Sequence, residues 1–264
     1  MKVVLFCGGQ GLRLRDFSPN VPKPLVKVGS RPIIWHLMNY YAHYGHRDFV
    51  LCLGYKGEQL KDYFLNYEET LSNDFVLRKG GSEIELLNRD IDDWTIRFVD
   101  TGLKSNVGER LMAVREHLEG EEVFLANYSD GLSNIDLDDM VAHFRAHGRT
   151  ASFAAVRPHA SFHIVDTESS GRVTGVTSMA EADLSINGGF FVFRNSIFDY
   201  FQEGEDLMDE PFERLVAGDQ IRAYHHEGFW QCMDTFKDRQ ALEELAGRED
   251  PPWKVWKRRV SGTG

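Results

Sequence analysis

Apolar residues recur along this chain in two rhythms. Continuous apolar runs at residues 3–7 and 48–53 predict strands buried on both faces, and runs at 94–99 and 122–127 extend the series. Between them, apolar side chains return every three or four positions. Ile33, Leu37, Tyr40 and Tyr41 mark one face of a helix over 32–44, with Pro32 suited to its first turn. Further helices are expected at 59–67, 109–118 and 136–147, the last capped by Asp136 and closed by Gly148. Strand alternating with helix over the first 150 residues predicts an α/β layer on a mainly parallel sheet.

Beyond residue 150 the rhythm changes. Short strands are expected at 152–157, 162–167 and 173–178, the last two joined through Ser169-Ser170-Gly171. Strands at 188–194 and 221–225 and helices at 196–202, 211–217 and 236–246 complete the pattern. The tail after Pro251 frays beyond an aromatic anchor. No repeat or linker interrupts the chain. The expectation is one domain over 1–264, with halves 1–150 and 151–250 and a tail 251–264. The second half is expected to complete the sheet and wall a pocket.

Composition narrows the function. Hydrophobic residues are 42% and charged residues 27%, ordinary for a folded chain, and 24 Gly with 8 Pro exclude a collagenous or low-complexity one. Thirty Lys and Arg against 41 Asp and Glu give a net charge of −11. Non-specific nucleic-acid binding needs the opposite sign, so no nucleic-acid partner is expected, although a local basic pocket is allowed. No apolar run approaches the roughly 18 residues of a membrane span, and no membrane partner is expected. The N-terminus has one charge and a short apolar run before glycines, unlike a signal peptide, which points to the cytoplasm. Cys7, Cys52 and Cys232 lie far apart without CxxC spacing, as reduced thiols do.

The chemistry concentrates at the ends of the predicted strands. Gly8-Gly9-Gln10-Gly11-Leu12-Arg13-Leu14 follows the first strand. It lacks the third glycine of a dinucleotide fingerprint and the Gly-Lys-Ser/Thr of a Walker loop. Such a loop serves equally as an anion cradle of backbone N–H groups or as a tight turn. Pro22-Lys23-Pro24 fixes the backbone on both sides of a lysine, a rigid mount for a point charge facing phosphate. Asp130 follows a buried strand, at the carboxyl end where open α/β sheets bind ligands. Asp234 ends a second apolar segment. The two carboxylates suit either a Mg²⁺ pair or two ordinary turns. His143 and His147 are four apart on a helix but lack the glutamate of a zinc-protease motif.

The glycine loop, Pro22-Lys23-Pro24 and Pro32-Ile33 together resemble the signature of the sugar-phosphate nucleotidyltransferases. Gly54-Tyr55-Lys56-Gly57, Asp100-Thr101-Gly102, Gly108-Glu109-Arg110-Leu111, Tyr128-Ser129-Asp130-Gly131, Ile186-Asn187-Gly188-Gly189-Phe190-Phe191 and Gly228-Phe229-Trp230-Gln231-Cys232-Met233-Asp234-Thr235 follow in the family's order. More narrowly, the chain resembles the bacterial glucose-1-phosphate cytidylyltransferase branch. The resemblance implies a Rossmann-like three-layer α/β sandwich with a mixed central sheet. It implies attack of a sugar 1-phosphate, or a related phosphorylated acceptor, on the α-phosphorus of a nucleoside triphosphate, CTP first, with pyrophosphate leaving. Positioning and charge stabilisation dominate such chemistry.

By that resemblance, residues 1–150 hold the nucleotide and 151–250 the acceptor. Lys23, Arg13 and Asp130 are the implied catalytic residues. Gly8, Gly9, Gly11, Leu12, Arg13, Lys23, Thr101 and Arg110 are the implied nucleotide contacts. Tyr128, Asn187, Gly188 and His163 would face the acceptor, and Asp130 and Asp234 would hold Mg²⁺. A homo-oligomer is implied as well. Tyr40-Tyr41 and residues 253–256 suit either its interface or the core.

Two departures from the family pattern matter. Leu12 stands where the family has Thr, which removes a hydroxyl but leaves the backbone N–H groups. Ser178-Met179-Ala180 stands where the family has Glu-Lys-Pro, and Ser161-Phe162-His163-Ile164 replaces Arg-Phe-Gly-Ala. An acceptor phosphate beside a triphosphate needs cationic compensation, and Met179 supplies none. Arg157, His159 and His163 are left to supply it. The readings are an active enzyme with a rebuilt acceptor pocket, a thymidylyl or uridylyl transferase, or a nucleotide-binding regulatory homologue with weak catalysis.

Overall fold

The computed structural model describes residues 1–9, 20–158, 162–179, 182 and 184–256. The chain opens with β1 (Lys2–Phe6), in which Val3, Val4 and Leu5 are fully buried, as its unbroken apolar run requires. Strands β2 (Lys27–Val28) and β3 (Arg31–Pro32) lead into α1 (Ile33–His43), with Pro32 as N-cap rather than in the first turn. Next come β4 (Asp48–Leu53) and α2 (Gly57–Leu65). A hairpin without a predicted counterpart follows, β5 (Phe75–Arg78) and β6 (Glu83–Leu86), and then β7 (Thr95–Asp100).

The single helix expected over 109–118 is α3 (Val107–Ala113) followed by a 3-10 turn at Arg115–Leu118. Its start is set earlier than expected by a reciprocal cap between Asn106 and Glu109. Strands β8 (Val123–Tyr128) and β9 (Gly131–Ser133) precede α4 (Leu137–His147). There the Asp136 side chain accepts from Asp139 N, and Gly148 closes the helix at φ 66°.

The second half adds β10 (Ala151–Val156), the hairpin β11 (His163–Thr167) and β12 (Val173–Ser178), then β13 (Ile186–Asn187) and β14 (Phe191–Arg194). A 3-10 helix at Asn195–Tyr200 stands where an α-helix was expected. Then come α5 (Glu210–Ala217), β15 (Ile221–His226), β16 (Trp230–Cys232) and α6 (Phe236–Ala246).

Among the described residues, eight strands share one sheet in which β10-β14-β8-β1-β4-β7 run in order, with β13 beside β14 on one edge of β10 and β15 also on β10. The β8-β1-β4-β7 ladders are parallel, while β14 runs antiparallel to both β8 and β10. The sheet is therefore mixed, and strands from both halves of the chain complete it. Alternate side chains of each strand feed opposite layers. Val3, Leu5, Phe49 and Leu51 pack with Ile34, Met38 and Tyr41 of α1 and with Met140 and Phe144 of α4. Val4, Val50, Phe124 and Ala126 pack with Leu111 of α3 and with Phe212 and Leu215 of α5. These are the three layers that the resemblance implied.

Tyr40 and Tyr41 belong to this core and not to a surface. Trp253 does too, with its ring 5.8 Å from those of both His36 and Phe229. It is the aromatic anchor expected of the tail, and residues 257–264 lie outside the described residues.

The strand expected over 188–194 is interrupted. Along the same edge of β10, Ala155 pairs with Asn187 but Ser152 with Val192, so two extra residues are accommodated between them. Gly189 at φ 75° and Phe190 at φ 51° take up the excess.

Candidate functional site

The carboxyl ends of β1, β4, β7 and β8 converge on one end of the sheet. There Gly8 and Gly9 begin the glycine loop. Gly11, Leu12 and Arg13 lie outside the described residues.

Beneath this loop sits Arg110, only 4% exposed. Its guanidinium donates to Gly8 O at 3.1 Å, Leu53 O at 3.0 Å, Gly102 O at 2.9 Å and Thr101 Oγ1 at 2.7 Å. Thr101 in turn donates to Leu53 O at 2.8 Å. One side chain thus ties together the loops after β1, β4 and β7. It holds the Gly8 carbonyl inward.

The close approach explains two glycines. A Cβ on Gly8 would lie 2.1 Å from Arg110 Nη1, and one on Gly54 would lie 2.8 Å from it. Gly54 was not among the predicted site residues, although its place at the end of β4, in Gly54-Tyr55-Lys56-Gly57, was the available signal. The structure puts Arg110 and Thr101 beside Gly8, with their polar groups committed to main-chain carbonyls and to each other.

Lys23 occupies a 3-10 turn between Pro22 and buried Pro24. Its ammonium donates to Asp130 Oδ2 and, at 2.5 Å, to Asp234 Oδ1. Burial alone would lower its pKa, but the two carboxylates outweigh that and hold it above the usual range. Lys23 is therefore a fixed cation at any physiological pH.

Asp130 and Asp234 are 104 positions apart in sequence. They meet because β16 pairs antiparallel with β9, Cys232 opposite Gly131, and because Met233 N donates to Asp130 O at 2.8 Å. Asp234 also lies just before α6, where Asp238 accepts from Asp234 N at 3.1 Å and Thr235 N at 2.8 Å. The nearby Cys232 thiol is pushed up to about 12 by burial and then by Asp234 and Asp130, which keeps it protonated.

The donor set tests for a divalent cation. Two carboxylates from separate strand ends lie within reach of a single ammonium, and hard oxygen donors of this kind suit Mg²⁺ completed by phosphate and water oxygens. Among the described residues no group of three or more His, Cys, Asp or Glu forms a cation cage. The pair therefore fits a cation shared with a phosphorylated substrate.

A second cluster faces the other half of the chain. Asn187 Nδ2 donates to Tyr128 Oη at 3.2 Å, and Asn187 Oδ1 accepts from Gly189 N at 2.9 Å. Gly188 O accepts from Trp230 Nε1 at 2.8 Å, a partner that sequence reasoning missed. Burial pushes the Tyr128 phenol up to about 12, so it stays protonated and keeps its own proton to donate. His163 is not brought to this cluster by any hydrogen bond among the described residues. It lies exposed on the β11–β12 hairpin, paired with Ser178.

The nucleotidyl transferase family model matches residues 2–238. The chain belongs to that family. It is 36% identical over 258 residues to the glucose-1-phosphate cytidylyltransferases of Salmonella typhimurium and Salmonella typhi, covering 97% of this chain and 100% of each relative. The fold is shared with UDP-glucose pyrophosphorylase from Acinetobacter baumannii, at a TM-score of 0.68 and 16% identity, covering 96% of this chain and 95% of that one. The chain is thus a nucleotidyltransferase of Rossmann-like fold. Among the described residues no helix is long and apolar enough to cross a membrane.

Proposed function

We propose that this enzyme moves CMP from CTP onto a sugar 1-phosphate or related phosphorylated acceptor, with release of pyrophosphate. The observation that carries this reading is Lys23 held between Asp130 and Asp234 at the carboxyl end of the sheet. The choice of CTP is supported by the cytidylyltransferase relatives.

In the reaction an acceptor phosphate oxygen forms a bond to the α-phosphorus, and the α–β bridging oxygen leaves with pyrophosphate. Asp130 and Asp234 would hold Mg²⁺, which supplies charge neutralisation to the triphosphate. Lys23 brings a permanent positive charge to the side of the growing negative charge, on a backbone that two prolines keep from relaxing. Arg110 holds the Gly8 carbonyl inward, which keeps that oxygen from facing phosphate. Arg13, outside the described residues, is assigned to the outer phosphates by resemblance. Tyr128, Asn187 and Gly188 form the acceptor wall.

The acceptor pocket is the part rebuilt relative to the family pattern. Met179 sits at the end of β12, with its N–H donating to Phe162 O at 3.0 Å. It brings no charge where a lysine is usual. We therefore place the preferred acceptor among phosphorylated compounds other than glucose 1-phosphate, which the likeness to the cytidylyltransferase relatives leaves as a slower substrate. Assembly into a homo-oligomer belongs to this reading, supported by the exposed apolar face of the β5–β6 hairpin (Phe75, Leu77 and Ile84). With a nucleoside triphosphate as donor, the cytoplasm is its place of work.

The test is pyrophosphate release by the purified protein with Mg²⁺, crossing four nucleoside triphosphates with a panel of sugar phosphates and other phosphorylated small molecules. Release with CTP and an acceptor other than glucose 1-phosphate is expected. Glucose 1-phosphate as the best acceptor would refute the rebuilt pocket. Preference for another triphosphate would refute the CTP assignment.

A further inference from the structure

A buried aromatic residue holds a left-handed backbone beside the acceptor wall. Phe190, 1% exposed, has φ 51°, a conformation that side-chain-bearing residues adopt only where their surroundings enforce it. The enforcing group is Asn127. Antiparallel pairing of β14 with β8 puts Phe191 opposite Ala126, and the next rung would put Phe190 opposite Asn127. The main-chain ladder stops there. Asn127 Oδ1 accepts from Phe190 N at 3.1 Å, so a side chain makes that rung.

The other end of the same amide is also used. Asn127 Nδ2 donates to Tyr41 Oη at 3.0 Å, and the Phe190 ring stacks 6.2 Å from that of Tyr41. Asn127, Tyr41 and Phe190 thus close a triangle between β8, α1 and the strand break. Gly189 is locked by the same contact, since a Cβ there would lie 2.4 Å from Asn127 Oδ1. With Gly189 fixed, its N–H holds the Asn187 amide, whose nitrogen reaches Tyr128 Oη.

We infer that Asn127 is a positioning residue for the acceptor. Its side chain replaces a ladder rung and so sets the turn that presents Asn187 and Gly188 to Tyr128. It also couples the two sides of the site, because Asn127 and Tyr128 end β8 and Asp130 lies two residues further on. Asn127 is itself 1% exposed, so it acts through the turn and not by touching substrate. This rests on the acceptor-wall assignment of Tyr128 and Asn187.

The test is steady-state kinetics with Mg²⁺, CTP and glucose 1-phosphate as acceptor probe, each substrate varied, for Asn127→Leu, Asn127→Asp, Tyr41→Phe and Asn187→Ala. Asn127→Leu leaves the Phe190 N–H unpaired in the interior. It is expected to raise KM for glucose 1-phosphate about tenfold while KM for CTP changes less than twofold. Asn127→Asp still offers an oxygen to that N–H and is expected to recover most of the loss. Parallel rises in both KM values, or no rise in a folded Asn127→Leu protein, would overturn the inference. If Asn127→Leu fails to fold, Tyr41→Phe decides, because it removes only a hydroxyl. A selective rise of about twofold in KM for glucose 1-phosphate supports the inference, and any other pattern overturns it. Asn187→Ala separates the two layers of argument. No effect there refutes the acceptor wall itself, whereas an effect there without one at Asn127 refutes the positioning role alone.

Discussion

In the proposed reading the site has a nucleotide side and an acceptor side, and they are built in opposite ways. On the nucleotide side, Arg110 is nearly fully buried under four acceptors, and Lys23 is seated between two carboxylates delivered by a long-range strand pair. The β11–β12 hairpin, which the family resemblance assigns to the acceptor side, is a separate two-stranded ribbon with Val165 51%, Val173 55% and Val176 61% exposed. The departures from the family sequence at Phe162-His163-Ile164 and Ser178-Met179 fall on this ribbon or directly beside it. Charge handling is thus embedded in the core, where a change costs the fold. On that reading acceptor choice hangs partly on a ribbon that can change without repacking the sheet.

Lys23→Ala should draw the contrast most sharply. Removing a preorganised cation beside a reacting phosphate is expected to lower kcat by about 10²–10³. Two carboxylates are left facing each other, so stability should fall modestly at neutral pH. The check is single-turnover pyrophosphate release alongside denaturant unfolding. A kcat within threefold of the parent would mean that the embedded side does not carry the charge chemistry.

Gly8→Ala probes the same side through packing. The added Cβ meets the Arg110 guanidinium at 2.1 Å, and that group is held by its four acceptors. An overpacking cost of about 1–3 kcal/mol is expected, together with a raised KM for CTP. Because the clash is with one side chain, the cost of Gly8→Ala should shrink in an Arg110→Ala background. An identical cost in both backgrounds would place its origin elsewhere.

The two sides also differed in how far the sequence revealed them. Fully buried strands such as β4 announce themselves by unbroken apolar runs, and α4 by Asp136 and Gly148 at its ends. Lys23 was visible because two prolines flank it. The meeting of Asp130 with Asp234 was open to two readings, a cation pair or two turns, until the resemblance favoured the pair, since it depends on two three-residue strands too short to show a period. The β5–β6 hairpin was missed for a related reason. Its apolar stretch Phe75-Val76-Leu77 is only three residues long and mostly exposed, so no buried run marks it. The break at Gly188-Gly189-Phe190 carries a local turn signal in Asn187-Gly188-Gly189, but the apolar run that follows obscured where the strand begins. What turns it is Asn127, 63 residues away. Local patterning shows which residues are buried. It does not show which side chains take the place of a backbone rung.

The smallest effect is expected on the ribbon. Val176 sits opposite Val165 on a solvent-facing side of β12. Threonine keeps the β-branched shape that suits a strand, and the added hydroxyl meets water. Val176→Thr should therefore change stability by no more than about 0.5 kcal/mol and leave KM for CTP unaltered. Equilibrium unfolding in urea, run with CTP kinetics, checks both. A loss above about 1 kcal/mol, the scale on which a buried hydroxyl without a partner is felt, would mean that the ribbon face is covered in the working protein. The acceptor side would then be as embedded as the nucleotide side, only by contacts that a single chain does not contain.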